Sequence, residues 1–291
     1  MKTKDYMIRG IDKERNFRFF GTNTKELVNT ACINHGLTPV AAAALGRTLT
    51  GVAMMGSMLK RDEDRVSIII KGDGPLGGII AESNGAGDVK GYVYNPHVDL
   101  PLNEFGKLDV AGAVGNANMT VMKDLGLKEP YSGQVPMLSG EIAEDISFYF
   151  AVSEQTNSVV MLGVLVDVDY SIRQAGGIII QVLPDADDDA ITQLEEKIKG
   201  FKSLTACLEK GQSIEYVLEN LLGEIEIMDT TEVRFNCDCS KERMERALIS
   251  VGKKDLEEIA KEDEKAELVC PFCSNKYQFT KEELEDLIEQ I

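Results

Sequence analysis

Residues 237–239 read Cys-Asp-Cys, residues 270–273 read Cys-Pro-Phe-Cys, and thirty residues separate the two pairs. Such pairs can fold into one tetrahedral site, in which metal–sulfur bonds of about 2.3 Å put neighbouring thiolates about 3.8 Å apart. The four sulfurs of Cys237, Cys239, Cys270 and Cys273 could instead form two disulfides. Metal binding and thiol oxidation therefore compete for the same atoms, and the motif is typical of a structural zinc site or of a redox switch.

The residues around these cysteines form a predicted C-terminal module, 231–291. Some sixty residues seldom build a self-sufficient core, and a structural zinc can contribute on the order of 10–16 kcal/mol to folding. The module ends in Thr280-Lys281-Glu282-Glu283, a capping box that predicts a terminal helix. We expect this module to fold around one Zn²⁺ per chain and to unfold when the metal is removed.

Charge excludes several classes of partner. The chain has 31 basic and 49 acidic residues, a formal charge of −18, and such a surface repels phosphate backbones and anionic membranes. Residues 231–291 hold ten basic residues against sixteen acidic ones. A zinc-ribbon protein that binds nucleic acid requires a basic surface, so we expect neither nucleic acid nor a membrane as a partner.

The rest of the composition predicts a cytoplasmic globular protein. The first twenty residues, MKTKDYMIRGIDKERNFRFF, carry charges throughout and lack the apolar segment of a secretory signal. No later apolar run reaches membrane-spanning length. Six cysteines in 291 residues are too few for a disulfide scaffold, and the clustering of four of them indicates metal or redox chemistry.

The helix and strand patterns in residues 1–184 predict an N-terminal core domain of mixed sheet and helix. The predicted fold class is therefore α+β. Helices are predicted over 24–34, with Thr24 as N-cap and Gly36 after its end, and over 38–60, with one apolar face. Short apolar runs separated by Gly, Pro, Asn and Asp predict strands. The predicted strands are 66–70, 78–81, 89–94, 159–166 and 177–183.

Residues 185–230 are predicted to form a helical linker. Four aspartates near its start could cap a helix N-terminus. Apolar residues then recur at steps of three and four, and a further helix is predicted over 213–222. Gly200, Gly211 and Gly223 interrupt the segment, which indicates short helices in series. The aspartates are Asp185, Asp187, Asp188 and Asp189, and the apolar residues are Ile191, Leu194, Ile198, Phe201 and Leu204.

Other motifs carry little chemistry. Residues 72–77, GDGPLG, match the dinucleotide fingerprint G-x-G-x-x-G, but a strand rather than a helix is predicted after them, which favours a glycine-rich turn between antiparallel strands. The sequence contains no H-E-x-x-H, G-x-S-x-G or Walker motif. His35 suits a helix end, and Cys32 and Cys207 are predicted to be buried thiols. We therefore expect no enzyme activity, no catalytic residue and no bound nucleotide.

The Cys-x-Cys spacing bears on the choice between a structural site and a switch. A disulfide between residues i and i+2 closes a very small ring, departs from relaxed geometry and should be comparatively easy to reduce. Nearby cations would favour the thiolate form, which binds zinc and is also what oxidants attack. These cations are Arg234, Lys241, Arg243, Arg246 and Lys276.

Over nearly its whole length the chain resembles the 33 kDa heat-shock chaperonins, redox-regulated holdase chaperones of the bacterial cytosol. The resemblance rests on the four cysteines and on four further segments. These are 72–77 (GDGPLG), 91–96 (GYVYNP), 144–150 (EDISFYF) and 153–155 (SEQ). No departure from the family pattern occurs at the cysteines.

The resemblance implies a function and a mechanism. The four cysteines would hold one Zn²⁺ in the reduced, inactive chain. Oxidants, especially with heat, would form Cys237–Cys239 and Cys270–Cys273 disulfides, release the zinc and unfold the redox-switch domain. The linker would then be destabilised, and the chain would dimerise and hold unfolding client proteins without ATP. A thiol oxidoreductase that uses residues 270–273 catalytically is the alternative, and it would place this motif at a helix N-terminus after a strand.

Overall fold

The computed structural model of the chain describes residues 4–262 and 265–291. It forms two compact units, Met1–Asn236 and Cys237–Ile291. Sheets and helices occur in both, which confirms the α+β class. Residues 231–236, assigned above to the C-terminal module, belong to the first unit because most of them lie in strands of its sheets. The division into core, linker and switch domain stays a prediction.

The first unit contains two sheets and seven helices within the described residues. Its strands are β1 (Tyr6–Asp12), β2 (Phe17–Asn23), β3 (Arg65–Gly72), β4 (Gly78–Asn84), β5 (Asp88–Val93), β6 (Ala117–Asp124), β7 (Tyr131–Pro136), β8 (Ser158–Val166), β9 (Ile172–Val182), β10 (Ile225–Glu232) and β11 (Arg234–Phe235). Its helices are α1 (Lys25–His35), α2 (Pro39–Gly56), α3 (Val110–Val114), α4 (Ala143–Ser153), α5 (Asp188–Gly200), α6 (Leu204–Glu209) and α7 (Ile214–Leu222).

The two sheets have defined strand orders. The five-stranded sheet runs β10-β1-β2-β9-β8 and is antiparallel throughout. The six-stranded sheet runs β11-β5-β4-β3-β6-β7, and in it only the short pairing of β11 with β5 is parallel. Residues 72–77 join β3 to β4, which pair antiparallel with Lys71 opposite Gly78. This confirms the glycine-rich turn. It also excludes a dinucleotide-binding site of the G-x-G-x-x-G type, because a strand and not a helix follows the glycines.

Helix α2 lies between strands of both sheets and forms the centre of the core. It contacts β8 and β9 of one sheet and β3, β4 and β5 of the other. The predicted single apolar face is therefore wrong: buried residues occur all round the helix, as is typical of a helix enclosed by protein. Two glycines allow neighbouring helices to approach α2 closely. A Cβ at Gly46 would lie 2.7 Å from Val28 of α1, and one at Gly51 would lie 2.6 Å from Ile146 of α4. The helix ends at Gly56 rather than at residue 60.

The predicted linker packs on the other face of the five-stranded sheet. Three helices, α5 to α7, cover Ile8, Phe17, Phe19, Ile178 and Ile180 of that sheet. Side chains of Asp187, Ser203 and Ser213 cap the three helix N-termini, as the short-helix prediction requires. Of the residues in α5, only Leu194 is buried, so this helix contributes less to the core than α7 does.

The linker was predicted to be helical to residue 230, but residues 225–232 form strand β10, which pairs with β1. Their sequence, IEIMDTTE, has few apolar residues, so its strand signal is weak without the partner strand. None of the helices in residues 4–262 and 265–291 is long and apolar enough to cross a membrane.

The second unit is small. Its elements are α8 (Lys241–Val251), α9 (Lys253–Glu262), β12 (Lys265–Val269), β13 (Lys276–Thr280) and α10 (Lys281–Glu289). Strands β12 and β13 form an antiparallel hairpin. At the start of α10, the Thr280 hydroxyl accepts a hydrogen bond from the Glu283 N–H and the Glu283 carboxylate accepts one from the Thr280 N–H, which confirms the predicted capping box.

Candidate metal and redox centre

The first cysteine pair lies between strand β11 and helix α8. Cys237 and Cys239 flank Asp238, and Ser240 caps α8 by accepting a hydrogen bond from the Arg243 N–H. The Arg243 guanidinium also donates to the Asp238 carboxylate at 2.6 Å. This contact ties the residue between the two cysteines to the first turn of α8, so the helix fixes the orientation of the pair.

The second pair lies in the turn between β12 and β13. The Cys270 N–H donates to the Asn275 carbonyl at 2.9 Å, and the Ser274 N–H donates to the Cys270 carbonyl at 2.9 Å. Ser274 has a φ of 60°, in the left-handed region, which closes the turn tightly. The side chains of Cys270 and Cys273 therefore project from one compact turn.

The structure brings together the four cysteines that were predicted to bind a metal ion. Their Sγ atoms all lie within 4.8 Å of one another. The Cys239–Cys273 and Cys237–Cys270 distances are 3.3 and 3.7 Å. Four thiolates around a tetrahedral metal with bonds of about 2.3 Å would lie about 3.8 Å apart, so the sulfur positions fit such an ion with small adjustments. The four cysteines could hold a metal ion.

Each pair also contains a hydrogen bond from the backbone to sulfur. The Cys239 N–H donates to the Cys237 sulfur, and the Asn275 N–H donates to the Cys273 sulfur. The Tyr277 hydroxyl donates to the Cys239 Sγ at 3.0 Å. These donors stabilise negative charge on sulfur, as a thiolate ligand needs.

The thiols of Cys237, Cys239 and Cys273 differ in acidity because their surroundings differ. Burial would raise the pKa of the Cys239 thiol, but hydrogen bonds from Tyr277 and from the other three cysteines together lower it to about 7. Burial raises the pKa of the Cys237 thiol, and it raises that of Cys273 to about 11. The hydrogen bond to Cys239 raises the pKa of Tyr277 to about 12, so the phenol keeps its proton at neutral pH.

Four of the five cations expected to favour the thiolates pair with carboxylates. Arg243 binds Asp238, Lys276 binds Glu267 at 2.9 Å, Lys241 binds Glu283, and Arg234 of the first unit binds Asp88 at 2.7 Å. Tyr277 instead donates directly to a cysteine sulfur, and sequence reasoning missed it. Its position four residues after Cys273, in strand β13, is the signal that could have indicated it.

The apolar core around this centre is small. The buried members of its cluster are Leu248, Leu256, Ala260, Phe279, Leu284 and Leu287. A core of this size seldom supports a domain of some fifty residues, and small domains commonly add a metal or disulfides. The folding of the second unit is therefore expected to depend on what binds the four sulfurs.

The other residues discussed from sequence lie away from this centre. His35 ends α1 and its ring contacts the Gly91 carbonyl at 3.2 Å. Cys32 is buried in α1, and burial raises the pKa of its thiol to about 12, which suits an inert core residue. Cys207 in α6 is only half-buried, so the prediction of a buried thiol there is wrong.

Comparison with known proteins gives one consistent result. The model of the family described as Hsp33 protein matches residues 5–280. The "33 kDa chaperonin" of Agathobacter rectalis is 49% identical over 285 residues, covering 97% of this chain and 99% of that protein. The "33 kDa chaperonin" of Bacillus subtilis is 46% identical over 288 residues, covering 98% and 99%.

A solved structure agrees with these relatives. The crystal structure of the 33 kDa chaperonin from Thermotoga maritima superposes with a TM-score of 0.92 at 39% identity, covering 99% of each chain. The family resemblance drawn from the sequence is thus confirmed across both units. The chain belongs to the Hsp33 protein family, the 33 kDa chaperonins.

Proposed function

We propose that this chain is a redox-regulated, ATP-independent holdase chaperone of the cytoplasm. One observation supports it above the others: four cysteine sulfurs lie within 4.8 Å of one another in a small unit with little other core. Family membership supports the chaperone role itself. The four sulfurs act as the sensor, and the rest of the chain binds unfolding proteins.

In the reduced chain, Cys237, Cys239, Cys270 and Cys273 hold one Zn²⁺ as thiolates. A tetrahedral set of four sulfur ligands is typical of zinc or of an iron–sulfur cluster, and the short Sγ–Sγ distances suit one ion. The bound metal would supply cross-linking of the two cysteine pairs. With the pairs held, the second unit stays folded and the chaperone stays inactive.

Oxidation removes the ligands two at a time. Two thiolates give up two electrons to form one disulfide, while one hydrogen peroxide takes up those electrons and two protons and leaves as two water molecules. We assign the disulfides as Cys237–Cys239 and Cys270–Cys273, on the family resemblance. Disulfide sulfurs are poor zinc ligands, so two such steps release the metal and unfold the second unit.

The linker, residues 185–230, transmits the change in this proposal. Its first helix, α5, buries only Leu194, while Ile191 and Ile198 are half-buried. Such a helix contributes little burial energy and can leave the sheet at small cost. Departure of the linker exposes apolar surface for unfolding client proteins, and a homodimer forms on oxidation. Neither nucleotide, nucleic acid nor membrane takes part.

The proposal predicts an activity gained on oxidation. Reduced, zinc-loaded protein should not suppress the aggregation of a thermally unfolding test protein, whereas protein treated with hydrogen peroxide at raised temperature should suppress it. Light scattering measures the suppression, while zinc release and loss of four thiols are followed in the same samples. Zinc that stays bound while activity appears would contradict the switch, and equal activity in both states would contradict redox control.

The alternative, a thiol oxidoreductase, has less support. Residues 270–273 lie in a turn between β12 and β13, and no helix begins at this motif, in contrast to the arrangement that activates Cys-x-x-Cys nucleophiles. Reduction of insulin by dithiothreitol, with and without the protein, tests this alternative. Catalysis of insulin reduction would favour the enzyme over the chaperone.

The linker makes a second prediction. Hydrogen exchange of residues 188–222 should be slow in the reduced protein and faster by at least about tenfold after oxidation, which corresponds to a loss of about 1.4 kcal/mol of local stability. The core helix α2 serves as the internal reference, because it is enclosed by both sheets and should keep its protection. Equal protection of the linker from hydrogen exchange in the reduced and oxidised protein would show that the linker does not transmit the change.

A further inference from the structure

Tyr277 is a side chain that donates a hydrogen bond to the cysteine centre from outside the four-cysteine set. Its hydroxyl lies 3.0 Å from the Cys239 Sγ. Strand β13 fixes its backbone, since Tyr277 pairs with Leu268 of β12, and its ring packs against the small core of the second unit. The phenol is therefore held in place by the hairpin and by the core, independently of the sulfur that it contacts.

The contact makes the four sulfurs unequal. Cys237 and Cys273 receive hydrogen bonds from backbone N–H groups of their own turns, which any residue could supply. Cys239 receives one from a side chain that a single substitution can remove. A hydrogen bond to a thiolate withdraws electron density from the sulfur, so it stabilises the anion and lowers its nucleophilicity toward oxidants.

We propose that Tyr277 is a positioning residue of the cysteine centre: its hydroxyl orients and stabilises the Cys239 thiolate for metal binding and slows the reaction of that sulfur with oxidants. This inference rests on the proposed function, because it concerns the threshold at which the centre responds. Tyr277 sets that threshold because its hydrogen bond strengthens metal binding in the reduced protein and slows the oxidation of Cys239.

The substitution Tyr277→Phe tests this role. Phenylalanine keeps the ring and its packing and removes only the hydroxyl. We expect Zn²⁺ to bind about tenfold more weakly, measured by competition with a chromophoric chelator in the reduced, full-length protein. We also expect Cys239 of the zinc-loaded protein, whose sulfur is a thiolate with or without the donor, to react about threefold faster with hydrogen peroxide. Alkylation of the remaining thiols and mass spectrometry give the rate for each cysteine.

A spectroscopic signature separates this role from packing. With Co²⁺ as the probe, the thiolate-to-metal charge-transfer band should shift in Tyr277→Phe, because the electron density on one sulfur ligand changes. The matched control is Tyr216→Phe, which removes the hydroxyl of an exposed tyrosine in α7 of the first unit. Circular dichroism of the reduced proteins confirms that both variants fold.

The outcomes are distinct. Equal zinc affinity, an unchanged cobalt spectrum and equal oxidation of Cys239 in Tyr277→Phe and Tyr216→Phe would overturn the role of Tyr277 and leave the zinc switch standing. Wild-type protein that binds neither Zn²⁺ nor Co²⁺ would overturn the proposed function together with this inference. Weaker binding with faster oxidation of Cys239, limited to Tyr277→Phe, supports the inference.

Discussion

Replacing Cys270 by serine is expected to remove zinc from the protein and to unfold residues 237–291, while the first unit stays folded. Cys270 is 2% exposed, and its sulfur lies 3.7 Å from the Cys237 sulfur. Serine binds zinc poorly, and structural zinc contributes on the order of 10–16 kcal/mol to the folding of small domains. The six buried apolar residues of the cluster described in the second unit cannot replace a contribution of that size.

Two measurements check this expectation. Zinc content should fall from one per chain to nearly none, and hydrogen exchange in α8, α10 and the β12–β13 hairpin should approach that of an unfolded chain. The matched control is the variant Cys207→Ser, which changes a half-buried cysteine in α6. This variant should keep one zinc per chain. A folded second unit in zinc-free Cys270→Ser would show that its apolar core suffices and would contradict the metal-dependent fold.

The second large effect is expected from Asp145→Ala in α4. The Asp145 carboxylate is fully buried and accepts hydrogen bonds from the N–H groups of Leu138, Ser139 and Ile142 and from the Ser139 hydroxyl, at 2.7 to 3.2 Å. Ile142 has a φ of 74°, which is strained for a β-branched residue. Alanine would leave these donors without their acceptor and the strain without support, so we expect a loss of about 4 kcal/mol in the free energy of unfolding.

Urea unfolding of the reduced, zinc-loaded protein, followed by circular dichroism, measures this loss in the transition of the first unit. Glu144→Ala is the matched control: Glu144 is the adjacent acidic residue in the same helical turn and is exposed. Its replacement should cost under about 1 kcal/mol. Similar losses for the two variants would mean that charge at the helix N-terminus, and not the buried hydrogen bonds, accounts for the effect.

Asp145 also shows why one of the family segments is distinctive. Residues 144–150 contribute to the resemblance as a string of letters, whereas the structure gives them separate roles. Asp145 holds the loop before α4, and Ile146, Tyr149 and Phe150 are buried in the core. The Tyr149 hydroxyl donates to the Glu154 carboxylate at 3.0 Å, which connects this segment to residues 153–155.

Local patterns in the sequence predicted much of the secondary structure. The first helix was predicted over 24–34 and is found at Lys25–His35, with Gly36 in the left-handed conformation at its end. Each of the five predicted strands overlaps an observed one, because short apolar runs bounded by turn residues are a local signal. Eight strands of the described residues were not predicted, namely β1, β2, β6, β7 and β10 to β13. In β1 and β10, charged residues such as Arg9 and Asp229 interrupt the apolar pattern, and the pairing of these two strands joins distant parts of the chain.

By itself, the sequence determined the family, the fold class and the set of four cysteines, because short motifs with fixed spacing carry that information. Only the tertiary structure decided that α2 is enclosed by two sheets, that residues 225–232 join the sheet beside β1, and that the Tyr277 hydroxyl reaches Cys239. The physical reason is the same in each case. Spacing along the chain fixes what lies within one turn or one hairpin, whereas contacts between distant segments depend on how whole faces of helices and sheets exclude water together.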